Sequence, residues 1–355
     1  MNRANPQQMT LIKEIPVFPS TRYQGSKLKI VDWIWENIKD LKFHTALDAF
    51  GGTGCVAYLF KQKGKQVTYN DILKFNWFIA LALIENDSVT LTSNDITFLV
   101  TNHKEIKYPS FVYDTFKDIY FTDEENQWID VVITNIDQLD NLYKRALAYY
   151  ALFQSCIIKR PFNLFHRKNL YLRFSDVERN FGNKTTWDTP FSTHFRKFIG
   201  EVNQAVFSNG LQNKAVNLDV FDVEGNFDLV YIDTPYISKK GVGVDYFSFY
   251  HFLEGLVRYS EWEKMINYRT KHKKLRSDKN PWIDKNQICS AFERLIKKFA
   301  DSILVISYRS DGIPTISELV NLLKKYKSDV EELTRKNYKY VLSNNDSEEV
   351  LLIGK

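Results

Sequence analysis

Two spacings of apolar residues alternate along the N-terminal part of the chain. Residues 27–39 repeat apolar side chains at helical spacing, whereas residues 45–50 form a short apolar run that is typical of a buried strand. Glycines between residues 51 and 54 interrupt this run, and a helical stretch follows them. A second strand is predicted at 66–69 and another helix at about 74–85. This order of strand, glycine turn, helix and strand predicts the start of a parallel α/β sheet.

The middle of the chain lacks this alternation. From residue 89 to residue 207, long helical stretches such as 124–158 dominate, and a polar, loop-like segment covers residues 159–190. We therefore expect a mainly helical domain inserted into the α/β unit. The predicted bounds are 16–88 and 208–355 for a discontinuous α/β domain and 89–207 for the insertion.

The α/β pattern resumes after the insertion. Apolar runs at 227–232 and 302–307 predict two more buried strands, and a helix with a capping box is predicted to begin at Thr315. Residues 337–342 and 348–353 are typical of a hairpin around a polar turn. The predicted fold class is α/β, with a mostly parallel sheet that ends in an antiparallel hairpin.

Composition narrows the setting without defining a function. The chain has 355 residues, is 44% hydrophobic and carries a net charge of +5, which permits a nucleic-acid partner. Its three cysteines, Cys55, Cys156 and Cys289, form no CxxC pair, so we expect no zinc site, no disulfide framework and a reducing cytoplasm. The N-terminal residues lack a signal peptide, and no apolar run reaches about 18 residues, so no membrane span is expected.

Glycines between a strand and a helix give the first candidate site. In Asp48-Ala49-Phe50-Gly51-Gly52-Thr53-Gly54 they permit a tight turn and close backbone approach to a ligand. Asp71 follows the next strand, close to the spacing of the acid that binds ribose hydroxyls in dinucleotide folds. No Lys-Ser/Thr pair follows the glycines, so a P-loop is disfavoured. Alone, the motif fits a structural glycine turn, or a nucleotide site of another class, at least as well.

A second candidate site is Asp233-Thr234-Pro235-Tyr236, directly after the apolar run 227–232. An acid at the carboxyl end of a sheet strand lies where open α/β sheets bind ligands. The neighbouring tyrosine can stack on a planar ring. An ordinary turn is the alternative for this tetrapeptide taken alone.

Together, the motifs resemble those of the D12 class of adenine-specific DNA methyltransferases, the Dam-like group with the alpha motif order. Residues 22–27 are similar to the family's first cofactor-binding segment, and Phe50-Gly51-Gly52-Thr53-Gly54 is similar to its FxGxG motif. Asn70-Asp71 resembles the ribose-binding acid, Asn217-Leu218-Asp219 resembles an acid-bearing strand end, and 233–236 resembles the DPPY catalytic loop. The resemblance covers most of the chain apart from the insertion.

The resemblance implies a Rossmann-like fold, S-adenosylmethionine as cofactor, and methyl transfer to N6 of adenine in a specific double-stranded DNA sequence (EC 2.1.1.72). It further implies a target-recognition role for the insertion, a restriction-modification setting with a cognate restriction endonuclease as partner, and no metal. The implied cofactor-binding residues are Tyr23, Lys27, Asp48, Phe50, Gly51, Gly52, Gly54, Asp71 and Asp219. The implied catalytic residues are Asp233, Thr234, Pro235 and Tyr236.

The implied mechanism is a direct transfer to a flipped-out base. The Asp233 side chain and the Thr234 carbonyl are expected to accept the amino hydrogens of adenine, and Tyr236 is expected to stack on the base. Tyr23 or Phe50 is expected to face the sulfonium. The family usually has proline where this chain has Thr234; the carbonyl is kept, and only the fixed φ is lost.

Two basic segments are candidates for DNA contact. Residues 159–173 hold five Lys/Arg and no acid among interleaved aromatics, and residues 258–285 hold nine Lys/Arg against four acids. For each, phosphate contact competes with a solvated basic surface loop. The DNA-binding residues predicted in the first segment are Lys159, Arg160, Asn163, Arg167, Lys168 and Arg173.

Three other functions compete with this hypothesis. A degenerate methylase fold would bind DNA without catalysis, and a methyltransferase for RNA or a small molecule would present similar basic segments. A Rossmann oxidoreductase is disfavoured, because GxGxxG is absent and the 233–236 loop would have no role in hydride transfer.

Overall fold

A computed structural model describes residues 16–175, 184–335 and 347–355. The strands are β1 Thr45–Asp48, β2 Gln66–Asn70, β3 Lys214–Val216, β4 Leu229–Ile232, β5 Ile237–Ser238, β6 Ile303–Arg309, β7 Gly312–Ile313, β8 Val330–Arg335 and β9 Glu349–Gly354. The largest sheet has seven strands in the order β3-β2-β1-β4-β6-β9-β8. The first five strands in that order are parallel, and β9 runs antiparallel to both β6 and β8. The predicted Rossmann-like α/β fold with an antiparallel C-terminal pair is confirmed.

Alternate residues of the central strands enter different hydrophobic clusters. Ala46 and Leu229 belong to one buried cluster, whereas Leu47 and Val230 belong to another. Because successive side chains of a strand point to opposite faces, the two clusters lie on the two sides of the sheet. This explains why β4 is buried at all four positions and why its sequence is a continuous apolar run.

Helices cover both faces. The helices are α1 Val31–Ile38, α2 Cys55–Gln62, α3 Lys74–Ala80, α4 Ser93–Val100, α5 Phe111–Thr115, α6 Asp123–Asp137, α7 Leu142–Ile158, α8 Lys184–Asp188, α9 Phe191–Ala205, α10 Tyr246–Leu256, α11 Trp262–Met265, α12 Ile288–Lys298 and α13 Ile316–Lys324. Side chains of α2, α3, α7 and α9 belong to the cluster that contains Ala46, and side chains of α12 and α13 belong to the cluster that contains Leu47. Helix α3 continues into a π-helical turn, Leu81–Glu85. Within the described residues, no helix is long and apolar enough to cross a membrane.

The segment between β2 and β3 is helical, as expected. The stretch 124–158, predicted as one helix, is two: α6 ends at Asp137, and the side chain of Asn141 accepts hydrogen bonds from Tyr143 and Lys144 to cap α7. Helix α7 packs against both α9 and α3, so the helical segment shares one continuous core with the sheet. The domain bound 89–207 stays a prediction.

The C-terminal hairpin differs from its predicted position. The strand β9 lies at 349–354, one residue from the prediction, but its partner β8 lies at 330–335. The predicted first strand, 337–342, lies outside the described residues. The helix after Thr315 has the expected capping box, with Glu318 and Thr315 bonding each other's backbone amides.

The strand order reverses direction between β1 and β4. From β1 the chain proceeds outward to β2, whereas β4 lies on the opposite side of β1 and leads to β6. Ligands in open α/β sheets bind in the crevice beyond the carboxyl ends of strands at such a reversal. The glycine turn follows β1 and the Asp233 loop follows β4, so both motifs reach this crevice.

Candidate active site

A cavity of about 450 Å³ lies at the reversal of strand order. Every residue predicted to bind the cofactor lines it except Gly54, and Asp233, Thr234 and Pro235 line it as well. Residues 276–283 of the second basic segment form another part of its wall. The fold therefore brings together residues that are far apart in the chain, such as Tyr23 and Asp233.

The glycine turn approaches the neighbouring strand more closely than a side chain allows. A Cβ at Gly51 would lie 2.0 Å from a ring carbon of Tyr69 on β2. The Tyr69 hydroxyl donates a 2.7 Å hydrogen bond to the carbonyl of Gly52. Gly54 has φ +76° and precedes the first turn of α2, where a left-handed conformation favours glycine. The motif thus sets the path of the backbone along the cavity.

Asp71 ties this turn to the end of β2. Its carboxylate accepts hydrogen bonds from the backbone amides of Gly52 at 2.9 Å and Leu73 at 2.8 Å, and from the Asn76 side chain at 3.1 Å. Burial raises the pKa of Asp71 to about 6, although these hydrogen bonds act to lower it. Asp71 therefore holds the glycine turn in place in addition to lining the cavity.

Asp48 carries a carboxylate oxygen without a partner. Its Oδ2 accepts a 3.2 Å hydrogen bond from the amide of Ala57, but its buried Oδ1 accepts none from the described residues. Burial, and then the nearby charge of Asp233, raise the pKa of Asp48 well above its usual range. Because buried polar groups are normally satisfied, this oxygen at the cavity wall indicates a position for a ligand donor.

Asp233 is bound on one oxygen by two donors. Lys27 Nζ lies 3.2 Å from Asp233 Oδ1, and the Tyr236 hydroxyl donates to the same oxygen at 3.2 Å. Lys27 Nζ also lies 2.9 Å from Glu349 Oε1, on β9. Burial raises the pKa of Asp233 to about 6, Lys27 acts to lower it, and Glu349 acts to raise it.

Two site residues differ from their expected roles. Lys27 lines the cavity as predicted, but its ammonium lies between the carboxylates of Asp233 and Glu349. Tyr236, which was expected to stack on a base, is buried outside the cavity lining and packs edge-on against Tyr308 at 5.7 Å. Its hydroxyl accepts a hydrogen bond from Lys27 and donates one to Asp233, and its stacking on a base stays a prediction.

Aromatic rings form a shelf beside the glycine turn. Tyr23 stacks between Tyr250, at 4.4 Å, and Tyr246, at 5.7 Å, and Phe50 meets Trp282 edge-on at 4.9 Å. Tyr246 and Trp282 also line the cavity, and the sequence analysis missed both. Tyr246 directly follows Asp245, whose side chain caps α10, and this cap signal marks the start of that helix.

Three of the six residues predicted to bind DNA are buried and bind other groups of the protein. Lys159, Arg160 and Arg173 are only 1–5% exposed. Lys159 lies 2.6 Å from Glu125, and Arg173 binds the same carboxylate through two nitrogens at 2.6 and 2.8 Å. Arg160 donates to the carbonyl oxygens of Tyr120, Leu164 and Arg167. The prediction that these three contact DNA is wrong, because their charged ends face inward.

The other three residues keep access to solvent. Arg167 and Lys168 are exposed, and Asn163 is half-buried. Near them in sequence, Phe162, Tyr171 and Phe174 are more than half exposed. The segment therefore combines a buried basic anchor with a smaller exposed surface of positive and aromatic side chains.

The second basic segment reaches the mouth of the cavity. Arg258, Arg276 and Lys279 line it. Arg258 lies 2.7 Å from Glu254, whereas Arg276 and Lys279 are exposed. Within the described residues, no group of His, Cys, Asp and Glu could hold a metal ion.

A family model supports the function that this geometry suggests. The model of the D12 class N6 adenine-specific DNA methyltransferases matches residues 23–311. The chain belongs to this family.

Three curated relatives are Type II methyltransferases. M2.HphI of Haemophilus parahaemolyticus is 32% identical over 87% of this chain and 89% of its own length. M.FokI of Planomicrobium okeanokoites is 27% identical over 86% of this chain and 47% of its own length. M.NlaIII of Neisseria lactamica is 22% identical over 86% of this chain and 88% of its own length. The chain thus spans about half of M.FokI.

Proposed function

We propose that the chain transfers the methyl group of S-adenosylmethionine to N6 of adenine in a specific double-stranded DNA sequence, the activity of EC 2.1.1.72. The observation that carries this proposal is the meeting of the glycine turn and the Asp233 loop in one cavity. Family membership supports the reaction class. The named relatives support a restriction-modification setting with a cognate endonuclease and, with the unpaired cysteines, a cytoplasmic location.

The cavity suits S-adenosylmethionine, which when bound supplies a methyl group activated by a sulfonium. Its volume lies within the range of about 300–1,000 Å³ of small-molecule sites. Asp48 Oδ1 offers an unpaired acceptor, and the backbone at Gly51 and Gly52 leaves room for close approach. Asp71 and Asp219 lie along the same wall and are the proposed acceptors for the hydroxyl and amino groups of the nucleoside part.

The Asp233 loop can activate the adenine amino group. That nitrogen is a poor nucleophile, because its lone pair is delocalised into the ring. The Asp233 side chain is 16% exposed and lines the cavity, so it can accept one amino hydrogen, and the Thr234 carbonyl can accept the other. The lone pair is then free to form the new nitrogen–carbon bond as the sulfur–carbon bond breaks, and the displaced proton passes to Asp233 or water.

A covalent route through cysteine finds no support. Cys55 is the cysteine that lines the cavity, and burial raises its pKa to about 11. Its thiol therefore stays protonated near neutral pH. Because the thiolate is the nucleophilic form, Cys55 is not a nucleophile for the base under these conditions. Direct transfer to nitrogen requires no such intermediate.

DNA must deliver a flipped base to this cavity, because the amino group is inaccessible inside a stacked duplex. We propose that Asn163, Arg167 and Lys168 contact the duplex, together with the exposed aromatic rings near them. Arg276 and Lys279, at the cavity mouth, are the proposed contacts to the backbone of the flipped nucleotide. The 89–207 segment is the proposed target-recognition domain.

Mass spectrometry of modified nucleosides tests the proposal. Purified protein is incubated with S-adenosylmethionine carrying a deuterated methyl group and with duplex DNA and structured RNA in competition. Labelled N6-methyldeoxyadenosine is expected. Label in RNA alone would favour an RNA methyltransferase, and DNA retention without label would favour a non-catalytic binding protein.

A further inference from the structure

A buried lysine joins two carboxylates that come from distant parts of the chain. Lys27 is 3% exposed, and its Nζ lies 3.2 Å from Asp233 Oδ1 and 2.9 Å from Glu349 Oε1. The three side chains belong to the N-terminal segment, the loop after β4 and the C-terminal strand β9. Buried charges are costly unless they are paired and hydrogen-bonded, so this arrangement needs a reason beyond packing.

Glu349 is fixed more firmly than an incidental ion-pair partner. Its side chain is fully buried, and the hydroxyl of Ser307, on the neighbouring strand β6, donates to the same Oε1 that faces Lys27. Its backbone is paired in the sheet on both sides, with Arg309 of β6 and Arg335 of β8. Glu349 lies beyond the family-model match, which ends at residue 311.

The charges of the cluster explain why a second carboxylate is present. Lys27 alone would orient Asp233 but would also cancel its negative charge. During methyl transfer, the positive charge of the donor moves onto the amino nitrogen, beside Asp233. A cluster of one ammonium and two carboxylates keeps one negative charge to stabilise that nitrogen, which is the form of electrostatic preorganisation that active sites use.

We propose that Glu349 is a positioning residue for Asp233: it holds and neutralises Lys27, so that the ammonium orients Asp233 without cancelling its charge toward the cavity. The inference rests on the proposed function of Asp233 in methyl transfer. It assigns the C-terminal strand a part in the active site.

Several charged or titratable groups face Asp233, and they set the expected pH behaviour. They are Lys27 from the N-terminal segment, Glu349 from β9, Tyr236 from the same loop, Asp48 and Cys55 from β1 and α2, and Tyr231 from β4. Among them, Glu349 raises the pKa of Asp233 and Lys27 lowers it. Removing the charge of Glu349 should therefore lower that pKa, a result that loss of packing alone would not produce.

The test compares Glu349→Gln with Glu348→Gln. Gln keeps the size of the side chain and an acceptor for Ser307, and Glu348 is a half-buried neighbour directly before the same strand. In single-turnover methylation at saturating S-adenosylmethionine, E349Q should be slower by about 10- to 100-fold, since a misplacement of about 1 Å can cost about 100-fold. E348Q should match the wild type, and Glu349→Asp should recover part of the loss.

A second readout does not depend on activity. The carboxyl ¹³C resonance of Asp233, assigned by its loss in Asp233→Asn, is titrated in the wild type and both Gln variants. A lower apparent pKa in E349Q alone supports the inference, and an equal pKa in all three proteins overturns it. An inactive wild type would refute the proposed function, and this titration would still decide the coupling. If E349Q does not fold, Ser307→Ala takes its place: slower transfer together with a changed apparent pKa of Asp233 supports the inference, whereas slower transfer at an unchanged pKa, or a wild-type rate, overturns it.

Discussion

Replacing Gly51 with alanine tests how the glycine turn shapes the cavity. The new Cβ would lie 2.0, 2.3 and 2.6 Å from three atoms of the Tyr69 ring, whereas ordinary contact begins near 3.4 Å. The ring cannot retreat easily, because it is fully buried and its hydroxyl is bonded to Gly52. Overpacking costs about 1–3 kcal/mol and the lost hydrogen bond about 1 kcal/mol, so unfolding free energy should fall by about 2–4 kcal/mol. The dissociation constant of S-adenosylmethionine should rise at least about tenfold.

Urea denaturation and calorimetric titration of the cofactor measure the two effects. Gly200→Ala is the matched control, since a Cβ there meets nothing within 4 Å and alanine in a helix should stabilise by about 0.5–1 kcal/mol. In a Tyr69→Leu background, the cost of Gly51→Ala should shrink, because the clashing ring is gone. Unchanged stability and cofactor affinity in Gly51→Ala would refute the close approach.

Three further predictions concern charge. The single-turnover rate at saturating cofactor should rise with pH through about 6, because burial raises the pKa of Asp233 to about 6 and the ionised form accepts the amino hydrogen; a rise centred near about 4 would contradict this. The double variant Arg167→Ala/Lys168→Ala should weaken DNA binding and lower by about two the slope of log binding constant against log salt concentration, as measured by fluorescence anisotropy. Arg160→Ala should instead lower the free energy of unfolding, measured by urea denaturation, by about 3 kcal/mol or more, because its buried hydrogen bonds are lost. An Arg160→Ala protein of full stability would refute the buried role of Arg160. Asp71→Ala should raise the dissociation constant of the cofactor and leave that of DNA unchanged; equal affinity for the cofactor would reject the assignment.

The sequence contains most of the information that places the active site. The turn at Gly51 and the loop at Asp233 each follow an apolar run, and periodicity is enough to identify such runs as strands. Parallel strands then bring their carboxyl ends to one edge, so the two motifs meet without any further assumption.

Charge patterns along the chain were a poorer guide. The segment around Arg160 has the composition of a DNA contact. However, Lys159 and Arg173 form buried ion pairs with Glu125, which lies on α6, a helix that ends more than 20 residues before Lys159. A local window contains the cations and omits the distant acid. Glu349 was not predicted for the same reason, since its partner Lys27 is distant in the chain. Locally it is only an acidic residue at the first position of a buried strand.

Helix ends and cavity walls depend on single side chains. The break before α7 rests on Asn141, a cap that the apolar periodicity of 124–158 does not reveal. Trp282 enters the cavity wall because a short helical turn at 281–283 places it against Phe50. Neither contact follows from composition.

Methyl transfer by Asp233→Asn tests the central claim most directly. The variant keeps the size of the side chain but removes the carboxylate that is proposed to accept an amino hydrogen of adenine. Single-turnover transfer of labelled methyl groups to duplex DNA should fall by more than about 100-fold, while calorimetry should show that the dissociation constant of S-adenosylmethionine is nearly unchanged. A variant that methylates DNA at the wild-type rate, or one that fails only because it no longer binds the cofactor, would contradict the account.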